Sequence, residues 1–137
     1  MCKKVVLFVL AGVFLMTVPV MGADIPAKVK DALVKADLRV YPGAVYCTGS
    51  LDIGVRLATS DSPEKVRAWY QENYPKWSVQ DKYGAWWFYD GPPNLGPGGI
   101  MSTRNMTVQT NKQLPGWHSL PADMTTEILM ASPEQAE

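Results

Sequence analysis

Trp86, Trp87, Phe88 and Tyr89 stand in a row, and nine of the 12 aromatic residues after position 23 fall between Trp69 and Tyr89. In an extended chain successive side chains alternate, so Trp86 and Phe88 face one way and Trp87 and Tyr89 the other. One helix cannot cover both sets. Either the sheet is covered on both sides, or one pair lines an exposed patch beside the Pro- and Gly-rich loop at 91–99. Exposed aromatic rings on a rigid strand are suited to stacking on sugar rings or peptide side chains. Trp86, Trp87 and Tyr89, with Trp117 nearby, are therefore the candidate ligand-binding residues.

Residues for covalent or acid–base chemistry are sparse. Ser62-x-x-Lys65 matches a pattern of serine acyl-transfer enzymes, but the companion Lys-Thr-Gly is absent, and a helix start explains the same residues. His118 is the single histidine. Pairing it with Cys47 needs a third group to orient the ring, and nothing in the spacing supplies one. A zinc site needs three or four ligands, and one histidine with one cysteine does not provide them. Gly96-Pro97-Gly98-Gly99 lacks the Gly-Lys-Ser/Thr of a phosphate cradle. The scattered carboxylates Asp52, Asp81, Asp90, Asp123 and Glu127 read as solvated. No catalytic residue, metal or cofactor is expected.

The front of the chain reads as an export signal. Lys3 and Lys4 form a positive start, residues 5–18 are apolar apart from Gly12 and Thr17, and small residues follow at Gly22 and Ala23. The run is shorter than the ~20 residues of a membrane span. Residues 1–23 are thus a predicted signal peptide, 24–131 a single domain and 132–137 a disordered tail. Periplasmic or secreted localisation follows, with no membrane anchor after cleavage. Cys2 would leave with the signal, making Cys47 a lone, buried cysteine with no intramolecular disulfide. Of 13 basic and 13 acidic residues, Lys3 and Lys4 would also leave, giving a net charge of −2. That charge argues against nucleic-acid binding.

The elements that must position the aromatic run follow from periodicity. Asp24 and Pro26 open a helix over 25–36 with Val29, Ala32, Leu33 and Ala36 on one face. Strands at 44–48 and 51–59 form a hairpin, the second alternating at Leu51, Ile53, Val55 and Leu57. Asp61-x-x-Glu64 is spaced as a capping box for a helix over 63–73, burying Val66, Trp69 and Tyr70. A second hairpin pairs 77–80 with 85–89. Residues 90–99 read as loop, 100–110 as strand, 111–123 as loop and 125–131 as the last strand. The fold class is α+β: an antiparallel sheet of five or six strands, the 63–73 helix packed on one face, and an N-terminal helix.

Val40-Tyr41-Pro42-Gly43-Ala44, then Leu57-Ala58-Thr59-Ser60-Asp61-Ser62-Pro63-Glu64-Lys65-Val66, then Trp69-Tyr70 and Trp77, resemble a group of small exported bacterial domains. The likeness covers about residues 40–80 and its motifs are structural. It implies a compact α+β body in a bacterial envelope and carries over no catalytic residue.

The sequence thus points to a non-enzymatic envelope binding module using an aromatic strand patch, its partner a glycan, a peptide or an envelope protein. The alternatives are a small hydrolase using His118 with a carboxylate such as Asp123, or an assembly subunit pairing through a sheet edge near Pro42.

Overall fold

The computed structural model describes residues 25–110 and 123–133. The predicted signal, Trp117, His118 and most of the predicted tail lie outside them. In chain order the elements are α1 (Ala27–Lys35), β1 (Val45–Ser50), β2 (Gly54–Thr59), α2 (Pro63–Asn73), β3 (Ser78–Lys82), β4 (Ala85–Tyr89), α3 (Pro97–Met101), β5 (Asn105–Thr110) and β6 (Thr126–Ala131). The six strands form one open sheet in the order β1-β2-β6-β5-β4-β3, and every neighbouring pair is antiparallel. The architecture is α+β.

The register sorts side chains by face. Leu57, Ile128, Val108 and Trp86 lie opposite one another across four strands, as do Val55, Met130, Met106 and Phe88. These rows, except half-buried Trp86, are buried in one core cluster with Val66 and Tyr70 of α2 and Leu33 of α1. The reverse face carries the row Arg56, Leu129, Thr107, Trp87 and Gln80.

Helix ends show why these segments stop where they do. After α1, Asp37 adopts a left-handed φ of 53°. Its N–H donates to the Val34 carbonyl at 3.1 Å, and the Leu38 N–H to the Leu33 carbonyl at 2.9 Å. These are the paired bonds of a Schellman cap, and Leu38 and Leu33 are both in the core cluster, as that cap favours. At α2 the cap is Ser62, whose Oγ accepts from the Lys65 N–H at 3.2 Å. Asp61 was the expected cap, but its carboxylate is taken by a longer-range partner, Tyr41, whose hydroxyl donates at 2.6 Å. The expected loop at 90–99 is not wholly loop, and the expected strand at 100–110 does not begin at 100. Pro97 starts the single turn of α3, which displaces the start of the next strand to Asn105.

Two tyrosines, Tyr70 and Tyr74, secure the connector between α1 and β1. The Tyr70 hydroxyl donates to the Arg39 carbonyl at 3.0 Å, and the Tyr74 hydroxyl donates to the Asp37 carbonyl at 2.8 Å. The Tyr74 oxygen also accepts from the Arg39 N–H at 2.7 Å. Backbone groups outside any helix or strand thereby find partners in a part-buried region. Burial pushes the Tyr70 phenol well above its ordinary value and raises Tyr74 as well. Tyr41 is pushed up to about 12, first by burial and then by Asp61, while the Tyr41 hydrogen bond holds Asp61 below its usual 3.8.

A pH dependence follows from that last pair. The Asp61 contribution to stability is present above its unfolded value and is lost as pH falls through its lower folded value. The Tyr41 contribution is complete below pH 10 and is lost as pH rises through about 12. Tyr41→Phe is expected to cost about 1–2 kcal/mol at neutral pH, toward the low end for a charged hydrogen bond because Asp61 is partly exposed. Urea unfolding across pH should show that gap narrowing at both extremes. A gap independent of pH would remove the pair from the account.

Cys47 departs from expectation. It is buried beside Ala58, with Val45 and Met124 packed against that pair, as a small apolar residue would be. It is disulfide-bonded rather than a thiol, with its partner outside the described residues.

Candidate functional site

The β3–β4 hairpin turns on two residues, Tyr83 with φ 59° and Gly84 with φ 75°. Two positive φ values in a two-residue loop make the tight turn whose twist matches paired strands, and Asn-Gly is its favoured sequence. A tyrosine at the first position is an outlier that carries local backbone cost. Its side chain is 79 % exposed. Nothing in the hairpin's own geometry calls for an aromatic ring there.

Trp87 is the neighbour that gives this ring a context. It is half-buried, and its indole N–H donates to the Lys82 carbonyl at 3.2 Å, which fixes the ring's orientation on the hairpin. Gln80, Lys82, Tyr83 and Trp87 line one side of a shallow notch, and Pro97 and Ile100 line the other. The notch holds about 30 Å³. That is the space of a single water and cannot swallow a side chain. What it offers is a surface: two aromatic rings, an amide and an ammonium.

The far wall is held in place by polar bonds from the strands. Gln80 donates from Nε2 to the Tyr89 hydroxyl at 2.8 Å and to the Leu95 carbonyl at 3.0 Å. Ser78 donates to the Gly91 carbonyl at 2.7 Å, and Arg104 forms an ion pair with Asp90. Leu95 fits between Gly91 and Gly99, where an added Cβ would approach its side chain to 3.2–3.3 Å. The glycines of this loop thus admit a leucine that seats α3 against the sheet.

The structure does not gather the predicted ligand residues into one patch. Trp86 lies on the face opposite Trp87, as the period of a strand requires. The Arg67 guanidinium stacks 4.7 Å from its ring centroid, and its indole N–H is buried without a hydrogen-bond partner among the described residues. Tyr89 shares a face with Trp87 but is fully buried, its hydroxyl accepting from Gln80 and from the Leu95 N–H at 3.4 Å. The 91–99 loop is held at Leu95 by this hydroxyl and by Gln80. Of the three described residues, Trp87 alone lines the notch. Tyr83 was missed as a site residue, and the signal for it was a large aromatic immediately before a turn glycine.

Other chemistry is thin in this region. Among the described residues no group of three or more His, Cys, Asp or Glu could hold a metal ion. Asp123, the suggested partner of His118, is exposed ahead of β6. Among the described residues no helix is long and apolar enough to cross a membrane. Comparison with protein-family models, curated proteins and solved structures finds no match for this chain.

Proposed function

We propose that this protein is a non-enzymatic, exported bacterial envelope module that binds saccharide on the Tyr83–Trp87 surface. The observation that carries the reading is the exposed Tyr83, held in a costly left-handed conformation beside an indole oriented by its own hydrogen bond. Backbone cost at an exposed tip is a signature of selected function more than of folding. The shape decides between ligand classes. A peptide anchor needs a pocket for a side chain, which a notch of about 30 Å³ does not supply. A pyranose ring needs only a flat aromatic face with a donor at its rim, here the Lys82 ammonium. The reading takes α2, with α1 beside it, as the cover of the opposite face; the burial of Val66, Tyr70 and Leu33 with the sheet residues supports this.

The test uses substitutions with opposite effects on binding and stability. Tyr83→Asn places a favoured residue in the turn and is expected to raise stability by roughly 0.5–1 kcal/mol. The same change should weaken binding of an N-acetylated envelope oligosaccharide several-fold. Trp87→Ala should weaken it about tenfold, or ~1.4 kcal/mol. Calorimetric titration and thermal melts read both quantities. If oligosaccharides do not bind, or bind both variants as they bind the parent, the proposal falls.

A further inference from the structure

A second cavity lies on the helix side of the sheet, away from the notch. It is a groove of about 500 Å³ lined by Ile25, Leu33, Val34, Leu38, Val40 and Trp69, with Lys30, Asp37, Arg39 and Asn73 completing it. The volume is that of a site for a small organic ligand, and the notch has no part in it. Three parts of the chain build it: α1, the tyrosine-clamped connector that follows, and α2.

The floor and the rim differ in chemistry. Leu33, Leu38 and Ile25 are buried and apolar, and the Trp69 ring is fixed edge-on between Tyr41 at 5.5 Å and Tyr70 at 4.9 Å. Val34 stands at the lip, 73 % exposed, on a helix whose Leu33 is buried and whose Val29 and Ala32 are half-buried. Charge at the rim is unbalanced toward positive: Lys30 and Arg39 against Asp37. The helix itself carries Lys28, Lys30 and Lys35 against the single Asp31. Arg39 gives one N–H to the Asn73 side-chain oxygen at 2.9 Å, and a guanidinium has five. This excess sits on a chain whose formal net charge is zero. An apolar trough with a cationic edge fits a molecule that is apolar along its length and anionic at one end.

We infer that the groove between α1 and α2 binds a single-chain anionic amphiphile, with its hydrocarbon chain along Leu33, Leu38, Val40 and Trp69 and its carboxylate at Lys30 and Arg39. This site is independent of the saccharide surface, and either can fail alone.

The purified protein should be titrated calorimetrically with laurate below its micelle concentration, with dodecanol, and with vesicles of anionic phospholipid. Laurate is expected to bind saturably at one site and about tenfold tighter than dodecanol. Lys30→Glu should remove that preference while leaving dodecanol unchanged. Val34→Asp, an exposed position whose change leaves the core intact, should weaken both ligands about tenfold with an unaltered Tm. Equal affinity for laurate and dodecanol, unchanged laurate binding in either variant, or binding to vesicles alone would each overturn the inference. Failure of the oligosaccharide titration would leave these outcomes untouched.

Discussion

Tyr70→Ala is expected to lower the unfolding free energy by about 3–5 kcal/mol, the range for removing a large buried aromatic side chain. Tyr70 is fully buried at the centre of an aromatic cluster, with ring centroids 4.9 Å from Trp69, 6.5 Å from Tyr41, 6.2 Å from Tyr74 and 6.1 Å from Phe88. The Phe88 contact links α2 to the sheet and the Tyr41 contact links it to the connector after α1, while Trp69 and Tyr74 are neighbours on α2 and at its end. Truncation therefore opens a cavity where three parts of the fold meet, and surrounding rings on different elements cannot all collapse into it. Tyr70→Phe separates packing from hydrogen bonding. It keeps the ring and deletes only the donor to the Arg39 carbonyl, so about 1 kcal/mol is expected. Urea unfolding of the two variants measures both. A small domain has about 5–15 kcal/mol in total, so the alanine variant should be partly unfolded near physiological temperature. Equal costs for the two variants would show that the hydroxyl, and not the ring, holds this junction.

Gly49→Ala should have an effect of similar size by a different route. Gly49 has φ +100°, and a Cβ built there would lie 1.8 Å from the carbonyl oxygen of Gly54. Both residues belong to the closing end of the β1–β2 hairpin, where Ser50 pairs with Gly54 and Gly49 with Val55. The obstacle is backbone in the paired strand, so relief requires the ladder to open. A cost of roughly 2–4 kcal/mol is expected, combining left-handed strain with lost pairing at an edge strand. Gly43→Ala is the control. Gly43 also has a positive φ of 82°, yet nothing lies within 4 Å of the added methyl. Only the conformational term applies there, about 1–2 kcal/mol. Thermal melts and amide exchange at β1 separate the two, with β1 protection falling in the Gly49 variant alone. If both variants behave alike, the clash is absorbed and the hairpin is more pliant than its register indicates.

Local signals in this chain were informative where competition between partners was weak. The helix at 63–73 was legible because Ser62-Pro63-Glu64 and the Val66–Tyr70 spacing act within one or two turns. Its capping residue was misread by one position because Asp61 and Ser62 are both good caps. The choice between them depended on Tyr41, 20 residues away, which claims Asp61. Alternation along Ala85–Tyr89 correctly put Trp86 and Trp87 on opposite faces. It did not say which face a loop would cover. Tyr89 is buried because Gln80 and the Leu95 backbone bond to its hydroxyl, a meeting of strand and loop with no footprint in local periodicity.

What the amino-acid sequence determined by itself is the α+β class, the position of the main helix, the hairpins and the two-faced character of the aromatic strand. Those features follow from side-chain period, capping and turn chemistry, which act over a few residues. Tertiary structure decided the rest: the strand order that places β6 between β2 and β5, the isolation of Tyr83 and Trp87 as the surface pair, and the groove beside α1. Each of these depends on which distant groups satisfy one another's hydrogen bonds and exclude water together, and that is a property of the closed fold and not of any segment.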